Sequence, residues 1–186
     1  IVDTEGKVLS EGHFKTTDYP DVKDFVKALG TAVKKLLAGK KDLELAGIGI
    51  GAPDANYHRG TIEHAPNLAW KGIVPLGELV KKELNVKVAV TNDANAAAMG
   101  EMVFGGAKGM KDFIILTLGT GLGSGIVVDG KLVYGHTGFA GEVGHLCVVP
   151  GGRECGCGRK GCLETYASAT GLVKSASLMI SEMRAD

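Results

Sequence analysis

Along residues 21–37 apolar side chains return every three or four positions. Val22, Phe25, Val26, Leu29, Val33, Leu36 and Leu37 hold one stripe of a 3.6-residue period and the remainder is polar, which predicts an amphipathic helix. Upstream, residues 1–2, a DTEG turn and residues 7–14 predict a β-hairpin. "LAGIGIGAP" (45–53) predicts a short buried strand running into a loop. Pro75 suits the opening of a helix that ends at Leu84. "VKVAVT" (86–91) predicts a strand, and "NDANAAAMGEMVFGG" leads from its end into an Ala-rich helix. Residues 111–135 read as strand, Gly-rich turn, strand, tight turn at Asp129 and Gly130, strand. "HLCVV" (145–149) predicts one more short strand, with Cys147 as a small core side chain between Leu146 and Val148. From Leu163 onward the pattern is helical, and Leu172, Val173 and Leu178 read as core, with a second copy of the chain as the alternative partner.

This order of elements is α/β. Hairpins, a helix and strand–helix units come first, and a fresh set of hairpins begins near residue 110. That second onset predicts two lobes, 1–109 and 110–186. The chain opens without Met inside a strand pattern and stops inside a helical one, so it reads as a fragment of a longer protein.

Composition narrows the classes. Lys plus Arg and Asp plus Glu stand at 21 each, with no basic stripe, so no electrostatic footprint for nucleic acid is present. No apolar run approaches the roughly 18 residues of a membrane helix, and no signal peptide is visible. Four cysteines, three of them bunched, do not make a secreted disulfide scaffold; the expected location is cytoplasmic. Glycine is abundant, 29 of 186 residues, and clusters at 47–51, 105–109, 119–125, 135–144 and 151–161, as turns and close backbone approaches require.

Cys155, Cys157 and Cys162 stand in a C-x-C-x4-C spacing with glycines between them. Such a loop can fold several thiolates onto one point. A structural zinc site takes four ligands of this kind. His145 is the natural fourth, Cys147 the rival; a redox pair and unremarkable thiols are the other readings. Three thiols and one imidazole suit zinc and leave a closed, non-catalytic site. One ion holding 145 and 155–162 together would draw the loop of Glu142 against the helix start at Glu164. Two carboxylates and an imidazole edge make a recognition site for a polyol, because each carboxylate accepts several hydroxyl hydrogen bonds. Otherwise Glu164 only complements a helix N-terminus and Glu142 is solvated.

Asn92 and Asp93 lie where a strand ends and a helix starts, the usual ligand position in open α/β sheets. Asp93 is either the helix cap or a general base that takes a hydroxyl proton. In "LGTGLGSG" (118–125) Gly119, Gly121, Gly123 and Gly125 join two strands, with Thr120 and Ser124 among them, either as a plain turn or as a phosphate loop. Backbone N–H groups there can approach phosphate oxygens. It is neither a Walker loop nor a dinucleotide fingerprint, because a strand follows it where those motifs have a helix.

Taken together, "GFAGEVGH" (138–145) with "CGCGRKGCLE" (155–164), "NDANAAAMGE", "LTLGTGLGSGIVVDGKL", "GIGAP" and "HAPNLAW" (64–70) resemble the ROK family of sugar kinases and regulators, within the actin/hexokinase-like ATPase superfamily. The resemblance runs through essentially the whole chain. It implies an α/β two-lobe actin-like (ribonuclease H-like) ATPase fold, truncated at both ends: the first strand and first phosphate loop would precede Ile1, and the adenosine-side segment would follow Asp186. It implies Asp93 as catalytic base, Asn92, Asp93, Glu142, His145, Glu164 and Asn67 on the sugar, Gly119, Thr120 and Gly121 on ATP, and His145, Cys155, Cys157 and Cys162 on zinc. ATP, Mg²⁺ and structural Zn²⁺ are then the cofactors, a hexose the substrate, most naturally the 6-hydroxyl of glucose, and a homodimer a common family state. "GAPD" departs from relatives, which often have glycine at the position of Asp54, so the resemblance assigns no sugar contact there. The alternatives are a kinase for N-acetylglucosamine or N-acetylmannosamine, and a sugar-sensing transcriptional regulator whose DNA-binding segment would lie before Ile1.

Overall fold

The computed structural model describes residues 1–40 and 42–184. The predicted stripe becomes α1 (Val22–Leu37), whose N-terminus is capped by Asp21: its carboxylate accepts the Lys23 N–H at 2.6 Å. β1 (Gly47–Gly51) leads to a small antiparallel sheet of β2 (Ala55–Asn56), β3 (Thr61–Glu63) and β4 (Ile73–Val74). α2 (Leu76–Leu84) follows Pro75, and β5 (Lys87–Thr91) returns to pair in parallel with β1, Gly47 opposite Lys87 and Gly51 opposite Thr91. α3 (Asp93–Val103) leaves the end of β5. β6 (Phe113–Leu118), β7 (Leu122–Val128) and β8 (Lys131–Leu132) form a third, antiparallel sheet. α4 (Glu164–Ala167) and α5 (Ala169–Met183) close the described chain, separated by Ser168, whose side chain caps α5 by accepting the Gly171 N–H.

The main core lies under α1 and α2, where Val26, Ile62, Leu76, Val80 and Val90 are buried with Trp70. The Trp70 indole N–H donates to the Tyr19 carbonyl at 2.9 Å, so its one polar group is satisfied. β1 turns Ile48 and Ile50 to this core. Its glycines are exposed, so the strand is half-buried where the sequence predicts full burial. Glycine on that other face admits α3: a Cβ at Gly51 would stand 3.0 Å from the Ala96 Cβ.

Three more expectations give way. The N-terminal hairpin shrinks to one bridge between Val2 and Val8. "HLCVV" is not a strand. Residues Val143–His145 form a single 3-10 turn, and only Cys147 pairs, opposite Cys162. Cys147 is exposed, as are Leu146 and Val148, so it is no core residue. Leu172, Val173 and Leu178 are exposed as well. The physical reason is common to both segments: apolar residues here face outward because no described element lies over them. No helix among the described residues is long and apolar enough to cross a membrane.

What positions the site is the seating of α3 on the third sheet. A Cβ at Gly125 would lie 2.6 Å from the Ala98 Cβ and 2.9 Å from the Ala94 carbonyl oxygen. Two of the glycines read as turn residues therefore serve helix packing instead: Gly123 and Gly125 are in β7, and the turn itself is only residues 119–121.

Candidate functional site

The C-terminal end of β5, the β6–β7 turn and the segment after β8 meet around a cleft of about 560 Å³. Asn67, Asn92, Asp93, Gly119, Thr120, Gly121, Glu142, His145 and Glu164 all line it, and so does Asp54. A second cavity of about 700 Å³ shares Asp54, Asn67, Thr120, Gly121, His145 and Glu164 with it and extends past Cys155 and Cys157.

Asn92, not Asp93, is the cap of α3. Its Oδ1 accepts the Asn95 N–H at 2.7 Å, which leaves its amide NH₂ for a ligand. Asp93 is thereby released from capping. It sits exposed in the first helical turn, with Oδ1 accepting the Ala94 N–H at 2.9 Å. A free, oriented carboxylate at this point can accept a proton from a hydroxyl placed in the cleft.

Glu142 and His145 come from a loop laid against β7. Ser124, buried in β7, donates its hydroxyl to the Gly141 carbonyl. Gly144 passes so near β7 that a Cβ there would fall 2.1 Å from the Leu122 carbonyl oxygen. Farther up this segment, the buried Asn56 amide donates to the Thr137 carbonyl at 2.9 Å, and Tyr57 stacks on Tyr134 at 4.0 Å between ring centroids. Glu164, at the start of α4, reaches back across the loop. One oxygen accepts the Leu122 N–H at 3.4 Å and the other accepts the Cys155 thiol at 2.8 Å. The turn 119–121 is also tied to α5: Ala169 N–H donates to Gly119 O at 3.0 Å, and the Thr170 hydroxyl to Thr120 O at 2.7 Å.

His145 stands between two carboxylates, Nε2 3.9 Å from Glu142 and Nδ1 3.6 Å from Glu164. Burial lifts the Glu142 carboxyl above the ordinary range, opposed by His145 and reinforced by Asp54, Asp93 and Glu164. Burial and the neighbouring Asp93 likewise lift Asp54. The cleft is thus a patch of like charge around one imidazole, suited to a ligand rich in hydrogen-bond donors.

Asp54 is the residue that sequence reasoning set aside. It lies three residues beyond β1 and adopts φ +50°, a left-handed conformation that aspartate tolerates better than most side chains. The signal was available: like Asp93, it lies at the carboxyl end of a parallel strand, where open α/β sheets bind ligands. Asn56 and Ser124, which hold the 137–145 segment, carried no sequence signal of that role.

His145, Cys155, Cys157 and Cys162 bring one ligand atom each to within 4.8 Å of one another. Cys157 Sγ lies 3.7 Å from Cys162 Sγ, and Cys155 Sγ 3.6 Å from His145 Nδ1. A tetrahedral ion with metal–sulfur bonds of about 2.3 Å spaces its sulfurs about 3.8 Å apart, so the donor set fits zinc. Cys147 is not among the four. Burial pushes the Cys155 thiol up to about 12, while the Arg159 backbone N–H and side chain bring Cys157 down to about 6. A dication between them would hold all three as thiolates.

The sequence matches the model of the ROK family over residues 1–185. The chain belongs to the ROK family. Among ROK relatives it is 45% identical over 177 residues to a glucokinase of Streptomyces coelicolor, covering 95% of this chain and 54% of that one. It is 39% identical over 171 residues to a xylose repressor of Caldicellulosiruptor bescii, covering 90% and 43%. Among solved structures it resembles a ROK glucokinase from Streptomyces griseus in complex with glucose and AMPPNP, with TM-score 0.76, 43% identity and coverage of 93% and 54%. The architecture is accordingly that of the actin-like ATPases. The chain spans about half the length of the curated ROK glucokinases it matches.

Proposed function

We propose that this chain carries the sugar site and one phosphate loop of an ATP-dependent hexose kinase acting on the 6-hydroxyl of glucose. The observation that carries this reading is the convergence of Asp93, Glu142, His145 and Glu164 with Gly119, Thr120 and Gly121 on one cleft. The likeness to glucokinases, one of them with glucose and AMPPNP, supports it.

In this reading Asn92, Asn67, Glu142, His145 and Glu164 hold the sugar ring by its hydroxyls. Asp93 orients the reacting hydroxyl and accepts its proton as the oxygen attacks the γ-phosphate. Backbone N–H groups of Gly119, Thr120 and Gly121 face the phosphates, where charge develops. Charge neutralisation on the phosphates is what Mg²⁺ supplies with ATP. His145, Cys155, Cys157 and Cys162 would hold zinc, which braces the loop of Glu142 against α4 without entering the reaction; His145 Nδ1 serves the metal and Nε2 the Glu142 side. The two lobes divide at 109/110, the protein works in the cytoplasm, and Leu172, Val173 and Leu178 of α5 are available to a second copy.

The test is ADP release by the full-length protein with ATP·Mg²⁺ across glucose, mannose, N-acetylglucosamine and N-acetylmannosamine. Turnover with glucose well above the rest supports the proposal; turnover with an N-acetylated sugar alone replaces the substrate. A second reading, a sugar-sensing regulator, is favoured by the 39% identity to the xylose repressor. Sugar binding by calorimetry without turnover of any of the four would select it.

A further inference from the structure

Cys147 and Cys162 face each other as the only pair of an antiparallel bridge. The flanking hydrogen bonds run from Val148 N–H to Gly161 O at 2.8 Å and from Leu163 N–H to Leu146 O at 2.8 Å. The two cysteines therefore form a non-hydrogen-bonded pair, in which the Cα atoms approach to about 4.5 Å and both side chains lie on one face. That is within the span of about 4.4–6.8 Å that a disulfide bridges. Both thiols are free; Cys147 is exposed and Cys162 fully buried. The Cys147 thiol donates to the Lys160 carbonyl at 3.6 Å, one residue before the Gly161 that precedes Cys162.

From this geometry we infer that Cys147 is an oxidation site whose disulfide partner is Cys162, so that peroxide withdraws one ligand from the metal cluster. The consequence for the metal rests on the reading of His145, Cys155, Cys157 and Cys162 as zinc ligands; the pairing itself does not. The chemistry needs a two-electron oxidant of the hydroperoxide class. The exposed Cys147 sulfur attacks the peroxide, the O–O bond breaks, and a sulfenic acid and one water result. Cys162 sulfur then attacks Cys147 sulfur, the S–O bond breaks, and hydroxide leaves with a proton as a second water. Two thiols lose two electrons and hydrogen peroxide is reduced to two waters. The backbone bridge already pairs the two residues, so the Cys147 side chain needs only to rotate from the Lys160 carbonyl towards Cys162.

The test exposes the full-length, zinc-loaded protein and its Cys147→Ser variant to graded hydrogen peroxide. Zinc release is followed with a chromogenic chelator, and disulfides are mapped by peptide mass spectrometry. The wild type is expected to form the Cys147–Cys162 disulfide and release zinc together, with both reversed by dithiothreitol. Cys147→Ser is expected to release zinc several-fold more slowly. Equal release rates in the two proteins, or a map confined to Cys155, Cys157 and Cys162, would overturn the inference. If the purified protein carries no zinc, the ligand reading fails alone, and the peptide map still decides the pairing.

Discussion

Glu164 is seated on the turn at Gly121: its Oε2 accepts the Leu122 N–H at 3.4 Å and would lie 2.8 Å from a Cβ at position 121. A carboxylate proposed for the sugar is thus held by the loop proposed for phosphates. Gly121→Ala should displace Glu164 and weaken sugar binding about tenfold even without nucleotide, the size of one lost charge-assisted hydrogen bond. Gly119→Ala, where a Cβ meets nothing within 4 Å, should leave that binding unchanged. Calorimetry with sugar alone separates them, and equal affinities would disconnect the two residues.

Asp93 has no capping duty, because Asn92 performs it. Asp93→Asn keeps the shape and the acceptor for the Ala94 N–H but removes the base. We expect kcat to fall at least about a hundredfold while sugar affinity stays near wild type. A near-normal rate would take Asp93 out of the mechanism.

The cysteine cluster is expected to hold close to one zinc per chain by elemental analysis. Removing it with a strong chelator should lower the melting temperature, because a structural metal contributes folding free energy directly. Cys162→Ser should show the same loss without chelator. A protein that is metal-free as purified and melts no lower after chelation would end the brace hypothesis.

Gly125 has no room for a methyl group between β7 and α3. Gly125→Ala should destabilise by about 1–3 kcal/mol through overpacking and lower kcat as well, since α3 carries Asp93 into the cleft. Chemical denaturation measures the first effect. An unchanged midpoint would mean that the helix moves away at little cost.

For Asp54 the sign follows from its raised carboxyl. Burial first, then Asp93, holds the folded-state value above 3.8. The stability linked to its protonated form is complete below that unfolded value and is lost as pH rises through the folded one. Asp54→Asn, which also tolerates φ +50°, should therefore melt higher than wild type at neutral pH. The advantage should shrink as pH falls towards about 4. An advantage constant across pH would trace to the backbone alone.

Much of the local structure was legible. The α1 stripe, the Pro75 start of α2, the β5–α3 junction and the tight turn at Asp129 and Gly130 each rest on interactions among residues a few positions apart. Asp129 and Gly130 take φ of 50° and 69°, as the predicted turn demands. The strands β2–β4 were not legible, being too short for any period to register. "HLCVV" misled because apolar residues in a row fit a strand, a turn or an outward-facing segment equally well until a neighbour decides.

The candidate site divides in the same way. Which residues can ligate a soft metal, accept a hydroxyl proton or let a backbone approach a phosphate is a property of side-chain chemistry and near spacing, and the sequence alone determines it. That Asp54 joins the cleft and that Cys147 faces Cys162 are outcomes of packing. They depend on Gly125 admitting α3, on Ser124 and Gly144 pressing the 141–145 loop to β7, and on Glu164 reaching Leu122. Those contacts join residues tens of positions apart. No periodicity encodes them, so only the tertiary structure decided which of the available groups meet.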